Sequence, residues 1–371
     1  MRVPDDILRF LHPEGGVIAI NKKSRKYIND VITENYNKII ILVNDIININ
    51  INVNINYEYI NIKDIMKNLI IHKNIEHTNI TGWDLSKINI FSWDLSWNYL
   101  QTLPESFGRL NILSDLNLSH TILETLPESF GNIKIGGSLI LVGNHQIQKL
   151  PESFGHLKIG GNLILFRNKL TSLPESFGSL KVGGDLLLNH NKLESLPESF
   201  GNITVGGDLN LSYNRLTSLP ESFGKIKFNG ELSLNNNQLI SLPESFGNFN
   251  IVSSLHLHSN RLKSLPESFG NIKIGGLLDL HENQLESLPE SFGNIRIGIS
   301  LYLSNNKLDS LPQNFGGIQV GTIGYDEGRD KDEDVDFGIL DLSNNNINFN
   351  TYGPLQVIKN RIKVFRGIHF G

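Results

Sequence analysis

The sequence predicts an α/β-type repeat solenoid: a curved horseshoe with a parallel β-sheet on its concave side and an irregular or 3-10 convex side, preceded by a small helical segment. Three observations carry this. The word LPESFG begins at Leu103, Leu126, Leu150, Leu173, Leu196, Leu219, Leu242, Leu265 and Leu288, and a tenth copy at Leu311 reads LPQNFG. The intervals between these ten Leu-Pro pairs are 23, 24 and then seven times 23 residues. A fixed period in this range is the signature of stacked coils rather than of a globular domain. Each period also carries an L-x-L strand signal, as in LLLNHNKLESLP from Leu186 and LNLSYNRLTSLP from Leu209.

The strand comes first in each coil. The two leucines of L-x-L point to one side and the residue between them to the other. One coil cannot bury its leucines alone, so neighbours on both sides must cover them. Next comes an asparagine column: Asn168, Asn191, Asn214, Asn237, Asn260, Asn283 and Asn306, with Thr121 in its place in one coil. The chain leaves the sheet there, and its backbone groups need new partners. An inward amide supplies them, so this column is expected to be a structural ladder. In LPESFG, Leu and Phe fill the core, Pro fixes φ, and Gly permits the next turn. Glu and Ser are expected to face water, with a column of Lys134, Lys158, Lys181, Lys227, Lys273 and Arg296 relieving repulsion along the Glu column. A Gly-Gly pair precedes many strands and is read as a tight bend, through positive φ or close backbone approach. It has no Walker lysine and no following helix, which argues against a phosphate loop.

These offsets, recurring through at least nine periods, resemble the leucine-rich repeat family. The resemblance implies a protein partner on the concave face. The outward strand positions are the candidates, because they vary while the scaffold does not. Ile164, Phe166, Arg167 and Leu187 make an apolar start, and His190, Tyr213, His256, His258, His281 and Tyr302 an aromatic and histidine-rich continuation. Such side chains suit a protein-binding surface.

Residues 93–350 form the array. Residues 41–92 read as an Ile/Asn-rich connector and degenerate cap coils, and 351–371 as a C-terminal cap. An acidic insertion at about 323–338 carries alternating Asp330, Asp332, Asp334 and Asp336. Val335 and Asp341 stand where a calcium loop needs Gly and Glu, so a solvated loop is expected. Residues 1–40, with Pro4-Asp5, Ile7, Leu8, Leu11, Ile18, Ile20, Lys23, Arg25 and Ile28, resemble an F-box. That resemblance implies a ubiquitin-ligase linker protein as a second partner; a helical cap over the first coil is the alternative. The Ile and Asn usage resembles proteins of AT-rich genomes, including large DNA viruses of amoebae.

The 371 residues are 39% hydrophobic and 19% charged with a formal net charge of −5, which argues against a nucleic-acid partner. There is no cysteine, so disulfides and thiolate metal sites are excluded. No apolar run is long enough for a membrane span and the N-terminus makes a poor secretory signal, so an intracellular chain, in the cytoplasm of a host cell, is expected. No nucleophile elbow, H-E-x-x-H or Walker motif occurs, so the chain reads as non-enzymatic and without a cofactor. An alternative reading makes His256, His258 and His281 a metal-binding or catalytic patch.

Overall fold

The computed structural model describes residues 69–71, 89–98, 100–321, 338–347 and 364–366. The F-box-like segment, most of the connector and nearly all of the acidic insertion lie outside them. The L-x-L leucines put each coil in register with the next: Leu163 pairs with Leu186, Leu186 with Leu209, and Leu209 with Leu232, all parallel. This ladder runs from Asn89–Asp94 to Ile339–Asp341, and Val364–Arg366 adds a final parallel strand. Leu301 pairs directly with Leu340, so the coil that holds the acidic insertion keeps the register of its neighbours. At the other end Leu69–Ile71 pairs antiparallel with Asn89–Asp94, an orientation that a further coil would not have.

A second parallel ladder, unforeseen in the sequence reading, uses the two residues before the Gly-Gly pair. Lys134–Ile135, Lys158–Ile159, Lys181–Val182 and Thr204–Val205 pair in turn. It resumes with Asn250–Ile251, Lys273–Ile274, Arg296–Ile297 and Gln319–Val320. Close approach at the glycines accompanies the ladder, which also includes Asn111–Ile112 ahead of Leu113. A Cβ on Gly183 would lie 2.0 Å from the Gly160 carbonyl oxygen of the preceding coil, so only glycine lets the backbones approach. These glycines do not have positive φ; close approach alone is the requirement. Asn229 and Val252 occupy the same position in the two coils at the break, where one bridge, Thr204 to Lys227, remains.

The third side consists of 3-10 turns, such as Glu175–Ser179 and Glu198–Asn202. Pro197 enters its turn at φ −65°, within proline's fixed range, and its carbonyl accepts the Phe200 N–H at 2.9 Å. The ten phenylalanines of this word, from Phe107 to Phe315, are fully buried. They stack ring over ring, as for Phe130 and Phe154 at 6.1 Å and 1°, and Trp93 starts the column 5.8 Å from Phe107.

The Glu-Ser pair does more than face water. Ser129 Oγ donates to the Glu105 carbonyl at 2.7 Å, and the Ser129 N–H donates to the Glu105 carboxylate at 3.0 Å. Hydrogen bonding by Ser129, its side chain first, holds the Glu105 carboxyl below its ordinary value. The same Ser-to-Glu carbonyl bond recurs at Ser176, Ser199, Ser222, Ser268 and Ser291. Among the described residues the ion pairs involve His256 and His281, and no Glu of this column meets a Lys. The lysines stand on the second ladder instead, so hydrogen bonds between coils, not ion pairs, settle the stacked carboxylates.

Candidate functional site on the sheet face

Three side-chain columns line the concave sheet. The first is the residue inside L-x-L, the second follows the second Leu, and the third precedes the ladder asparagine. The asparagines set the geometry of all three. Asn191 Nδ2 donates to the Leu165 and Leu188 carbonyls at 2.9 and 3.0 Å, and its Oδ1 accepts the Leu170 N–H at 3.1 Å. Asn214, Asn237, Asn260, Asn283 and Asn306 repeat the two donations, and Asn168 donates to Leu141 and Leu165. Thr121 fills its gap by donating to Asn144 Oδ1 at 2.6 Å.

To reach this amide the preceding residue turns into left-handed backbone. The φ values are 57° at Arg167, 54° at His190 and 52° at Tyr213. These three residues were expected as outward strand positions; they sit instead in the turn past the strand, and Phe166, His258 and His281 also lie beyond their two-residue strands. The reason is the ladder itself: the chain must reverse within one residue to bring the asparagine inward. L-residues pay roughly 1–2 kcal/mol for this conformation, and glycine or asparagine pays less. Gly143, Asn236, Asn305 and Asn344 are such cheaper choices at the same position. Trp97, His120, Arg167, His190 and Tyr213 are not.

Ile164 and Leu187 are adjacent in the first column, and His256, Asp279 and Tyr302 follow further along it. Phe166, Arg167, His190 and Tyr213 form one contiguous group. The Arg167 guanidinium lies 4.9 Å over the Phe166 ring, Phe166 meets His190 edge-on at 5.3 Å, and His190 stacks on Tyr213 at 4.3 Å and 6°. Partial burial, then the Arg167 charge, lowers the His190 pKa, so its imidazole favours the neutral form. Tyr213 is 47% exposed.

His256, His258 and His281 also come together. His258 stacks on His281 at 4.6 Å, and His256 stands edge-on to His258 at 6.3 Å. Acidic residues that the sequence reading did not single out accompany them. Glu231 Oε1 lies 3.4 Å from His256 Nε2, and Asp279 Oδ1 lies 2.5 Å from His281 Nδ1. The Glu231 hydrogen bond raises the His256 pKa and correspondingly lowers that of Glu231. Burial lowers the His258 pKa.

Trp97 and His120 were missed as well. They stack at 4.1 Å and 14°, and Trp97 is 74% exposed. The signal was present: both stand at the offset of Arg167, His190 and Tyr213. A second polar ladder was also missed. Asp115, Ser138, Asn162, Asp185 and Asp208 each accept the N–H of the equivalent residue in the next coil, at 2.6–3.0 Å.

The family model for the Leucine Rich Repeat matches residues 208–226. No curated protein sequence matches the chain. Among solved structures, a chain of the Toll–Spatzle complex of Drosophila is similar at 22% identity and a TM-score of 0.50, over 74% of this chain and 35% of that one. The present chain thus spans about a third of its length. YopM, a leucine-rich effector protein of Yersinia pestis, is similar at 20% identity, with a TM-score of 0.37, over 68% of this chain and 60% of that one. A leucine-rich repeat protein of Bacteroides eggerthii is similar at 16% identity, with a TM-score of 0.43, over 72% and 59%. The fold is a curved leucine-rich repeat solenoid. No described helix is long and apolar enough to cross a membrane.

Proposed function

We propose that this chain is a non-enzymatic scaffold that holds a protein partner on its concave sheet, with the group Phe166, Arg167, His190 and Tyr213 as anchor. The observation that supports this most is the His190–Tyr213 stack at 4.3 Å on left-handed backbone, with Tyr213 open to solvent. Rigid, partly exposed aromatics beside an arginine give large contact area at low entropic cost, the composition of binding hot spots. Ile164 and Leu187 extend the surface with apolar area, and His256, His258, His281 and Tyr302 continue it toward the C-terminal coils.

The test is a comparison of proteins captured from host extract by the full chain and by His190→Asn/Tyr213→Asn, which installs a residue other coils carry at that turn. A partner held by the full chain and lost by the variant supports the reading. Identical capture by both overturns it. A finer version makes the chain a substrate adaptor, with residues 1–40 holding a ubiquitin-ligase linker protein. The Pro4-Asp5 start and its apolar spacing support this version. Deleting residues 1–40 should abolish capture of the linker protein and spare capture on the concave face; linker capture by the deleted chain overturns the adaptor version alone.

A further inference from the structure

The geometry points to a divalent transition-metal site on the concave sheet, with His256, His258 and Asp279 as ligands and zinc(II) as the ion it fits. One ligand atom from each of the three residues lies within 4.8 Å of the other two. His256 ends one strand and His258 lies two residues beyond it, and Asp279 pairs directly with His256 on the next strand. Ligands on a tetrahedral zinc lie about 3.4 Å apart, given bonds near 2.0–2.1 Å. The three groups therefore need to close by up to about 1.4 Å, which rotamer adjustment of these partly buried side chains supplies without touching the core.

Each proposed ligand already has an outer partner. Glu231 holds His256. Ser259 Oγ lies 3.2 Å from His258 Nδ1 and donates onward to Glu282 Oε2 at 2.8 Å. His281 Nδ1 lies 2.5 Å from Asp279 Oδ1. Carboxylate and hydroxyl partners of this kind orient metal-bound imidazoles and carboxylates in metal sites generally. The second nitrogen of each histidine and the second oxygen of Asp279 have no hydrogen-bond partner among the described residues.

The sequence context is independent of that geometry. The preceding coil carries Ser233 and Asn235 at the positions of His256 and His258. These columns vary from coil to coil, and among them two histidines and an aspartate fall together within two adjacent coils. Two imidazoles and one carboxylate without thiolate form a set of the zinc class, and three protein ligands leave a position open to water or to a donor atom of a docked partner.

The full chain, stripped with EDTA and dialysed, should bind one equivalent of zinc chloride by calorimetry and give a visible d–d spectrum with cobalt(II) chloride. His256→Ser/His258→Asn installs the side chains of the preceding coil, so its circular dichroism and melting midpoint should match the parent while zinc affinity falls at least about 100-fold. Glu231→Gln should weaken binding about 10-fold through orientation of His256. No zinc bound by the parent chain, or zinc bound equally by the double variant, overturns the site.

Discussion

The 3-10 edge and the concave sheet share one 23-residue period, yet one repeats its residues and the other does not. On the edge the buried Phe and Gly of each coil pack directly against the next coil. Phe200 stacks between Phe177 and Phe223 at 5.9 and 6.1 Å, and a Cβ on Gly201 would meet the Ser222 carbonyl oxygen at 2.1 Å. A change there has to be accommodated by two coils at once. On the sheet the side chains point away from the stack, and the backbone ladder is indifferent to what they are. Identity is therefore enforced where coils meet and released where the side chains point away from the stack. The left-handed turn shows the contrast within one column. Trp97, His120, Arg167, His190 and Tyr213 occupy it toward the N-terminus, whereas Asn236, Ser259, Glu282, Asn305 and Asn344 occupy it beyond.

Breaking the edge should cost most. Phe200→Ala opens a cavity in the ring column and should destabilise by about 3–5 kcal/mol, read from urea unfolding. The asparagine ladder comes next: Asn214→Ala strands the Leu193 N–H, which Oδ1 now satisfies at 3.0 Å, and should cost about 1–3 kcal/mol in the same assay. Ser199→Ala removes the bond to the Glu175 carbonyl at the solvent boundary and should cost about 1 kcal/mol.

On the sheet face the effects on folding should be small. Tyr213→Asn gives up the stack on His190 but relaxes the left-handed turn, so stability should change by less than about 1 kcal/mol in either direction. A large loss would mean that the aromatic group is part of the scaffold. The smallest effect is electrostatic. His190 has a lowered pKa in the folded chain, so the unfolded chain binds the proton more readily and stability rises with pH. Its contribution should be complete above the ordinary histidine value and be lost as pH falls from there through the lowered folded value. An NMR titration of the His190 ring should show a midpoint below the ordinary histidine value.

Much of this was legible because a solenoid writes its contacts at fixed offsets. The inward leucines, the buried Phe column and the placement of the asparagines follow from period and side-chain direction alone. The second ladder was not legible: Lys-Ile before Gly-Gly is too short a signal for a strand, and its pairing depends on how closely consecutive coils approach. Nor did Ser and Glu of LPESFG disclose their bond across coils, since exposure and hydrogen bonding read alike in a sequence. On the candidate site, the sequence reading grouped His256, His258 and His281, but it could not weigh Asp279 or Glu231, which are ordinary surface acids until the coils are stacked.

The sequence by itself determined the period, the inward residues and the face left free to vary, because each is a property of one coil. The tertiary structure decided which variable residues touch, which of them lie on strands and which in left-handed turns, and where the second ladder breaks. Those are relations between coils, fixed by a rise of about 4.8 Å per strand and by how closely consecutive backbones approach.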